Sequence, residues 1–505
     1  MFGVLEIFRI KPKKAVKLLA VLFEKCIFAE RNHIEKCSFS PANIIEKCKI
    51  VMLYRKITSY IEDYLRSDTD KVLILEGARQ IGKSYSIREV GARLYPNFVE
   101  VNFVEDDEGD QLFKNIHKKE DFYLTLSMVA GNRLSKRDDT LVFLDEIQHY
   151  PQYLTMLKFL REDARYRYIA SGSLLGITLH DTTSIPIGSI TIKEMYQLDF
   201  EEFLIANGFG TDAIAMLRRA YEERQSLTEE HHNRVLDLFR RYLLVGGLPD
   251  AVNTYIDTHN IVRVREVQEA IRSLYADDAA KYEKEHNKKL LIRRIYEMIP
   301  SQMENKKKRV VARDIRGKKG DRFDQYREEF EYLVSSGIAL DVHAISNPRF
   351  PLSESLQKNL LKLYLNDVGL LTGLLYRNNI RPVLDDERGI NLGSVYESVV
   401  AQELRAHGHK LFYYDNRRLG EVDYLIDNHT TMSVHPVEVK SGKDYTVHSA
   451  LNNLLTTPDY HVPAATVISN ERRTYQEGKI TYMPVYFVMF MQADAPQADE
   501  SAYTF

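Results

Sequence analysis

Apolar and polar positions divide the chain into regions with different periods. Between residues 72 and 170, short apolar runs such as Val72-Leu73-Ile74-Leu75 and Leu141-Val142-Phe143-Leu144 show no alternation. Such runs suit strands buried on both faces of a parallel sheet. Residues 98–104 and 166–170 add two more strand candidates. From 213 to 223, 229 to 244 and 261 to 285, apolar residues recur every three or four positions with Lys and Glu between them, predicting amphipathic helices. Residues 286–350 alternate helix and short strand. Further on, 393–404 reads as a helix, 421–426 and 433–440 as strands joined through Asp427-Asn428-His429, and 481–491 as a closing strand. The tail from Gln492 is polar and is expected to be disordered.

A chain of 505 residues exceeds a single core. The predicted units are an N-terminal extension (1–51), a nucleotide-binding core (52–205), a helical lid (206–285), a connector (286–375), a C-terminal α/β domain (376–492) and a tail (493–505). Apolar residues at 44% and charged residues at 28% fit a globular protein. The net charge of −3 supplies no global field toward nucleic acid, so any such contact needs local patches. Residues 18–23, the longest apolar run near the start, cannot span a bilayer, and Glu24-Lys25 directly after them gives no cleavage pattern. No membrane partner and a cytoplasmic setting follow as expectations. The three cysteines, Cys26, Cys37 and Cys48, lie in an eleven-residue repeat of Glu-Lys-Cys. The spacing is unlike the close pairs of zinc sites. Residues 1–51 read as a dispensable extension before Met52.

Chemistry enters after the first strand. Gly77-Ala78-Arg79-Gln80-Ile81-Gly82-Lys83-Ser84 has the spacing of a phosphate-binding loop. The two glycines let the backbone wrap phosphates, and a helix starting near Lys83 adds its positive N-terminal end. Lys83 is placed to reach the β- and γ-phosphates, Ser84 to ligate Mg²⁺, and Tyr85 to border the site. Asp145-Glu146 follows the second buried strand, at the carboxyl edge where parallel sheets bind ligands. Asp145 is the candidate for a Mg²⁺-bound water, and Glu146 for the base that orients the attacking water. Ser171 and Ser173, after the strand at 166–170, either contact the γ-phosphate or the attacking water, or form an ordinary turn. ATP and Mg²⁺ are the expected cofactors.

GARQIGKS, LVFLDEIQ, YIASGS, the run Gln197-Leu198-Asp199-Phe200-Glu201-Glu202-Phe203-Leu204, and Val245-Gly246-Gly247-Leu248-Pro249 together resemble prokaryotic AAA-family ATPases that end in domain of unknown function 4143. The resemblance runs from about residue 52 to 490. It implies an α/β P-loop AAA core with a helical lid, a winged-helix-like connector and a restriction-endonuclease-like C-terminal domain. Tyr364-Leu365-Asn366-Asp367-Val368-Gly369-Leu370-Leu371 resembles a further signature, at the hinge into the last domain. Relatives carry an arginine after the glycine matching Gly188, whereas Ser189 stands here, so no arginine finger is assigned. In the connector, Lys306-Lys307-Lys308-Arg309, Arg313, Arg316, Lys318, Lys319 and Arg322 form a basic stretch. It reads as a DNA-phosphate contact, a solvated surface or a docking face. A DNA partner and a homo-oligomer stay open.

Glu397 shares a helix face with Val400 and Leu404, a costly place for an acid without a partner. Period two puts Glu438 and Lys440 on one strand face. The set Asp423, Glu438-x-Lys440 and Glu397 resembles the PD-(D/E)xK nuclease core. That resemblance implies metal ligation by Glu397, Asp423 and Glu438, and a catalytic role for Asp423, Glu438 and Lys440. Mg²⁺ is implied by the all-oxygen donors. Pro436 sits where a central strand tolerates proline poorly, so an inactive, partner-binding version of the fold is the alternative reading.

Overall fold

The computed structural model describes residues 53–173, 187–281, 286–305, 308–318, 320–385, 392–442 and 445–493. The 1–51 extension with its cysteines, Lys306, Lys307, Lys319 and residues 494–505 of the tail lie outside the described residues.

The N-terminal part runs α1 (Lys56–Arg66), β1 (Val72–Glu76), α2 (Lys83–Leu94), β2 (Asn97–Asn102), α3 (Phe103–Glu108), α4 (Lys119–Ala130), β3 (Thr140–Asp145), α5 (Gln152–Asp163), β4 (Arg167–Gly172) and β5 (Ile190–Glu194). Its strands form a parallel sheet in the order β2-β3-β4-β1-β5. Side chains do alternate here: Leu73, Leu75, Leu141 and Phe143 enter one core, and Ile74, Val142 and Leu144 the other. Both faces are covered, so alternation in space leaves none in hydrophobicity. The stretch at 98–104 splits, because Asn102 accepts from the Val104 and Glu105 N–H groups and starts α3.

Five helices follow: α6 (Phe200–Ala206), α7 (Thr211–Glu222), α8 (Glu229–Val245), α9 (Pro249–Thr258) and α10 (Ile261–Lys281). Helix α9 is absent from the sequence reading, although Pro249 at its first position is a usual opening signal. The connector contains α11 (His286–Met303), α12 (Ala312–Arg316), α13 (Arg327–Ser335) and the hairpin β6 (Ala339–Ile345) and β7 (Leu356–Leu365). After α14 (Val368–Tyr376) and α15 (Arg381–Leu384) come α16 (Gly393–Ala406), β8 (Phe412–Asn416), β9 (Gly420–Asn428), β10 (Ser433–Lys440), α17 (Ser449–Thr456), β11 (Ala465–Ser469), β12 (Tyr475–Glu477) and β13 (Ile480–Pro484).

The connector's hairpin is fused to the C-terminal domain. β6 pairs parallel with β8, giving one mixed sheet β12-β13-β11-β10-β9-β8-β6-β7. Pro436 does occupy a central strand. The β11 ladder begins only at Val437, so the missing N–H falls where β10 has β9 alone as neighbour. The apolar run 481–491 is strand only to Pro484. Val485–Phe490 is a buried 3₁₀ turn whose Phe487 and Phe490 rings meet Tyr221 of α7.

Three of the segments that carry the family resemblance meet at one point. Asp367 caps α14, accepting from Leu370 N at 3.1 Å, and also accepts from Gly247 N at 2.7 Å. Leu198 N donates to Gly247 O at 2.8 Å, and Gln197 donates to Asn366 O. A Cβ on Gly247 would lie 2.0 Å from Leu198 O. The segment around 364–371 is thus a packed junction. Gly247→Ala should destabilise the protein by about 1–3 kcal/mol, whereas Gly210→Ala, with nothing near its Cβ, should stay within about 0.5 kcal/mol; urea titration of both variants checks this. Burial raises the Asp367 carboxyl from its ordinary 3.8 to about 6 despite those N–H donors. The folded chain then holds this proton longer than the unfolded chain. The group's contribution is full below the ordinary value and lost as pH rises through 6, on the order of 3 kcal/mol. Asp367→Asn should lack this fall between pH 4 and 7; parallel stability curves for wild type and variant would refute it.

Candidate active sites

The first site forms because β1, β3 and β4 point their carboxyl ends to one edge, with Leu75 beside Ser171 and Leu144 beside Ala170. The loop between β1 and α2 needs positive φ at Gly77 (149°) and Gly82 (94°), and Gln80 takes 63°. A Cβ on Gly77 would sit 2.3 Å from Met195 O, so the strand behind the loop admits only glycine. Other chain segments hold the loop from outside. Arg55 Nη1 donates to Ile81 O at 2.7 Å, Tyr275 OH donates to Arg79 O at 2.7 Å, and a Cβ on Gly337 would lie 2.9 Å from Ala78 N.

An open cleft of about 440 Å³ faces the loop, lined among others by Arg79, Lys83, Ser84, Tyr85, Asp145 and Glu146. That volume lies in the range of small-ligand sites. Lys83 folds back onto the loop, donating to Gly77 O at 2.9 Å and Ala78 O at 2.7 Å, and its burial lowers the ammonium pKa. Ser84 Oγ donates to Asp145 Oδ1 at 2.8 Å. Ser171 donates to the same oxygen, and Asn102 Nδ2 lies 3.4 Å from Oδ2. Burial raises the Asp145 carboxyl in spite of the two serines.

Glu146 adopts a left-handed conformation, φ 56°, directly after β3. Burial would raise its carboxyl, but the Lys83 charge and a hydrogen bond from Gln148 outweigh it and hold it below the ordinary value. Ser173 Oγ donates to Glu146 Oε2 at 3.2 Å and accepts from Gln148 Nε2 at 3.1 Å. The side chains of Lys83, Ser84, Asp145 and Glu146 therefore converge. Ser171 is buried against Asp145, and Ser173 is the serine that reaches Glu146. Nothing in the sequence marks Gln148 beyond its place two residues after Glu146. Ser189 is buried and accepts from Arg161 Nη1 at 2.9 Å.

The second grouping spans α16, β7, β9 and β10. The register that sets Val437 beside Tyr424 brings Asp423 next to Glu438. Asp423 Oδ2 accepts from Val439 N at 2.8 Å, and Lys440 Nζ donates to Glu438 Oε1 at 2.8 Å. Glu397, buried on α16, accepts from Tyr364 OH at 3.3 Å on Oε2, and Lys308 contacts Oε1. Lys362, fully buried on β7, lies 2.5 Å from Glu421 Oε1 and 3.9 Å from Glu397 Oε2. Burial raises the carboxyls of Asp423 and Glu438, and Glu397 adds to both. The donor chemistry suits a hard divalent cation, but two lysines already face Glu397. Among the described residues, no group of three or more His, Cys, Asp or Glu side chains is arranged to hold a metal ion.

The basic stretch is divided. Lys308 and Arg309 turn inward, Arg309 to within 3.3 Å of Asp415, and Arg316 lies over the Tyr326 ring at 5.2 Å. Arg313, Arg316, Lys318 and Arg322 are exposed. No helix among the described residues is long and apolar enough to cross a membrane.

The contacts on Glu146 yield a prediction. Gln148→Ala should leave nucleotide affinity in place and lower ATP turnover about 10–100-fold, the worth of a hydrogen bond to a charged group. Steady-state turnover beside equilibrium binding of a fluorescent ATP analogue separates the two effects, and an unchanged kcat would count against the role.

Residues 69–204 match the family described as AAA domain, 236–381 match domain of unknown function 8612, and 392–488 match domain of unknown function 4143. No curated protein matches the chain. Among solved structures, the chain is similar to a Walker-type ATPase of Pyrococcus abyssi, at 14% identity and TM-score 0.39, over 64% of this chain and 96% of that one. It is also similar to the RuvB Holliday junction branch migration motor of Thermotoga maritima, at 14% identity and TM-score 0.28, over 59% and 90%. The chain thus carries a segment that matches an AAA domain, residues 69–204, and a C-terminal segment, residues 392–488, that matches domain of unknown function 4143.

Proposed function

We propose that this chain hydrolyses ATP at the Gly77–Ser84 loop and that its nucleotide cycle controls a C-terminal nuclease-like, DNA-interacting domain. The observation that carries the ATPase reading is the bond between Ser84 and Asp145, with Glu146 beside it and kept ionised. Backbone N–H groups of the loop and Lys83 bind the phosphates, so Lys83 must leave its carbonyl partners when ATP enters. Ser84 and Asp145 are the oxygens that would hold Mg²⁺, which when bound neutralises developing phosphate charge. Glu146, aimed by Gln148 and Ser173, orients the attacking water and accepts its proton. Ser189 stands where relatives carry an arginine, so no arginine is assigned to the transition state.

The nuclease-like reading is supported by the order α16-β8-β9-β10-α17-β11 and by the convergence of Glu397, Asp423, Glu438 and Lys440. Asp423 and Glu438 would share a divalent ion with Glu397, and Lys440 would steady the negative charge at the phosphodiester. The three helices α11 to α13 with the hairpin β6–β7 suit a winged-helix-like unit, whose exposed Arg313, Lys318 and Arg322 can meet DNA phosphates.

A second reading has its own observation. Lys308 and Lys362 already compensate Glu397, as they would in an ATP-driven switch whose last domain only binds a partner. Lys83→Ala should abolish ATP turnover under either reading. Asp423→Ala and Lys440→Ala should abolish cleavage of DNA under the first reading alone. Wild-type protein that never nicks any DNA or RNA form with ATP and Mg²⁺ or Mn²⁺ would leave the switch.

A further inference from the structure

The cleft at the phosphate loop holds a second cation besides Lys83. Arg79 belongs to the loop itself, is half-buried and lines the cleft. Tyr275 of α10, itself buried, holds the Arg79 carbonyl at 2.7 Å, so the side chain swings from a fixed root. That side chain turns toward the carboxyl ends of β3 and β4. Its Nε donates to Ser173 Oγ at 3.4 Å, the same hydroxyl that donates to Glu146 Oε2 and accepts from Gln148. The Arg79 charge also acts on Glu146, after those of Lys83 and the Gln148 bond, against the rise that burial would cause. The guanidinium therefore stands on the side of the cleft where Glu146 would aim the water.

Other arginines fit this place less well. The register sets Ile190 beside Val72 and Glu194 beside Glu76, so Ser189 lies at the amino edge of the sheet. The five residues of β5 separate it from the loop edge, about 16 Å at the rise of a parallel strand. Arg161, which donates to Ser189, pairs with Asp70 at 2.6 Å on that same edge. Arg88 comes within 3.7 Å of Asp145, but its fork is taken by Glu100 at 2.6 Å and 2.8 Å.

A γ-phosphoryl group in transfer spreads negative charge over its oxygens, and a planar guanidinium matches two of them at once. A phosphate oxygen is also a stronger acceptor for that cation than the neutral Ser173 hydroxyl. We propose that Arg79 is a catalytic residue supplied in cis by the loop itself: with ATP in the cleft its guanidinium leaves Ser173 for the γ-phosphate oxygens and stabilises the charge that develops there. The proposal rests on the ATPase reading of this site. In the step it assists, the water oxygen bonds to the γ-phosphorus and the water proton passes to Glu146. The bond from that phosphorus to the bridging oxygen breaks, and its electron pair stays on ADP.

Steady-state ATP turnover tests this on the full-length chain with Mg²⁺, beside equilibrium binding of a fluorescent ADP analogue with and without aluminium fluoride, which mimics the phosphoryl group in transfer. Arg79→Ala should lower kcat at least about 100-fold. It should also lose the tightening of ADP binding that aluminium fluoride gives the wild type, while its affinity for ADP alone stays at the wild-type level. Arg79→Lys, which keeps the charge without the fork, should recover part of both. A loss of ADP affinity as large as the loss of kcat would make Arg79 a structural part of the loop and overturn the proposal. Wild-type kcat and tightening in Arg79→Ala would overturn it as well and leave the ATPase reading standing. Wild-type protein with no Lys83-dependent turnover would overturn both.

Discussion

A buried carboxylate organises the middle of this molecule. Asp367 has no salt-bridge partner among the described contacts and is instead held by backbone N–H groups of Gly247 and Leu370. An ionised acid in such a place is costly unless its hydrogen bonds are complete. The surrounding chain is therefore tightly specified: a Cβ on Gly246 would fall 2.1 Å from Asp367 itself, and one on Gly369 would strike Gln268 and Val245. Three segments far apart in sequence, ending α8, preceding α6 and opening α14, are locked together there. The glycines serve close approach, and a larger residue at any of them forces the elements apart.

A second polar layer lies next to it. Arg55 reaches from the start of α1 to Ile81 O in the phosphate loop and to Glu202 in the capping box of α6. Asp199, the first residue of that box, binds Lys56 at 2.6 Å and lies 3.4 Å from His407, the C-cap of α16. Burial would raise the Asp199 carboxyl, but the Lys56 charge and His407 outweigh it and keep it ionised. Glu403, also on α16, accepts from Phe200 N at 2.9 Å and Tyr242 OH at 3.0 Å. The helix that presents Glu397 to the acid cluster is thus anchored, about two turns later at Glu403 and at its C-cap His407, to the group that grips the phosphate loop. Removing one member of such a buried ionic set typically costs about 3–5 kcal/mol. A continuous set of buried polar contacts therefore joins the phosphate loop to α16.

The phosphate loop, the Asp145-Glu146 pair and the buried strands were legible in the sequence because each is a local pattern. Glycines at fixed spacing, a buried run and acids at its end have meaning within ten residues. Boundaries failed where a capping side chain or a proline intervened, as at Asn102 and Pro484. Helix α9 escaped because Gly-Gly-Leu-Pro reads first as a break. Gln148 escaped because nothing local marks a glutamine as the residue that aims its neighbour.

Local period and spacing suffice for a phosphate-loop nucleotide core and for a strand pair carrying Asp423, Glu438 and Lys440, while the AAA assignment came through family resemblance. Which charges meet depends on packing at long range. That packing turned Lys308 and Arg309 of a basic run inward, buried Lys362 against Glu397 and Glu421, and joined the connector's hairpin to the C-terminal sheet. Contacts between residues 35 to 106 positions apart depend on strand order and register, which no local pattern encodes.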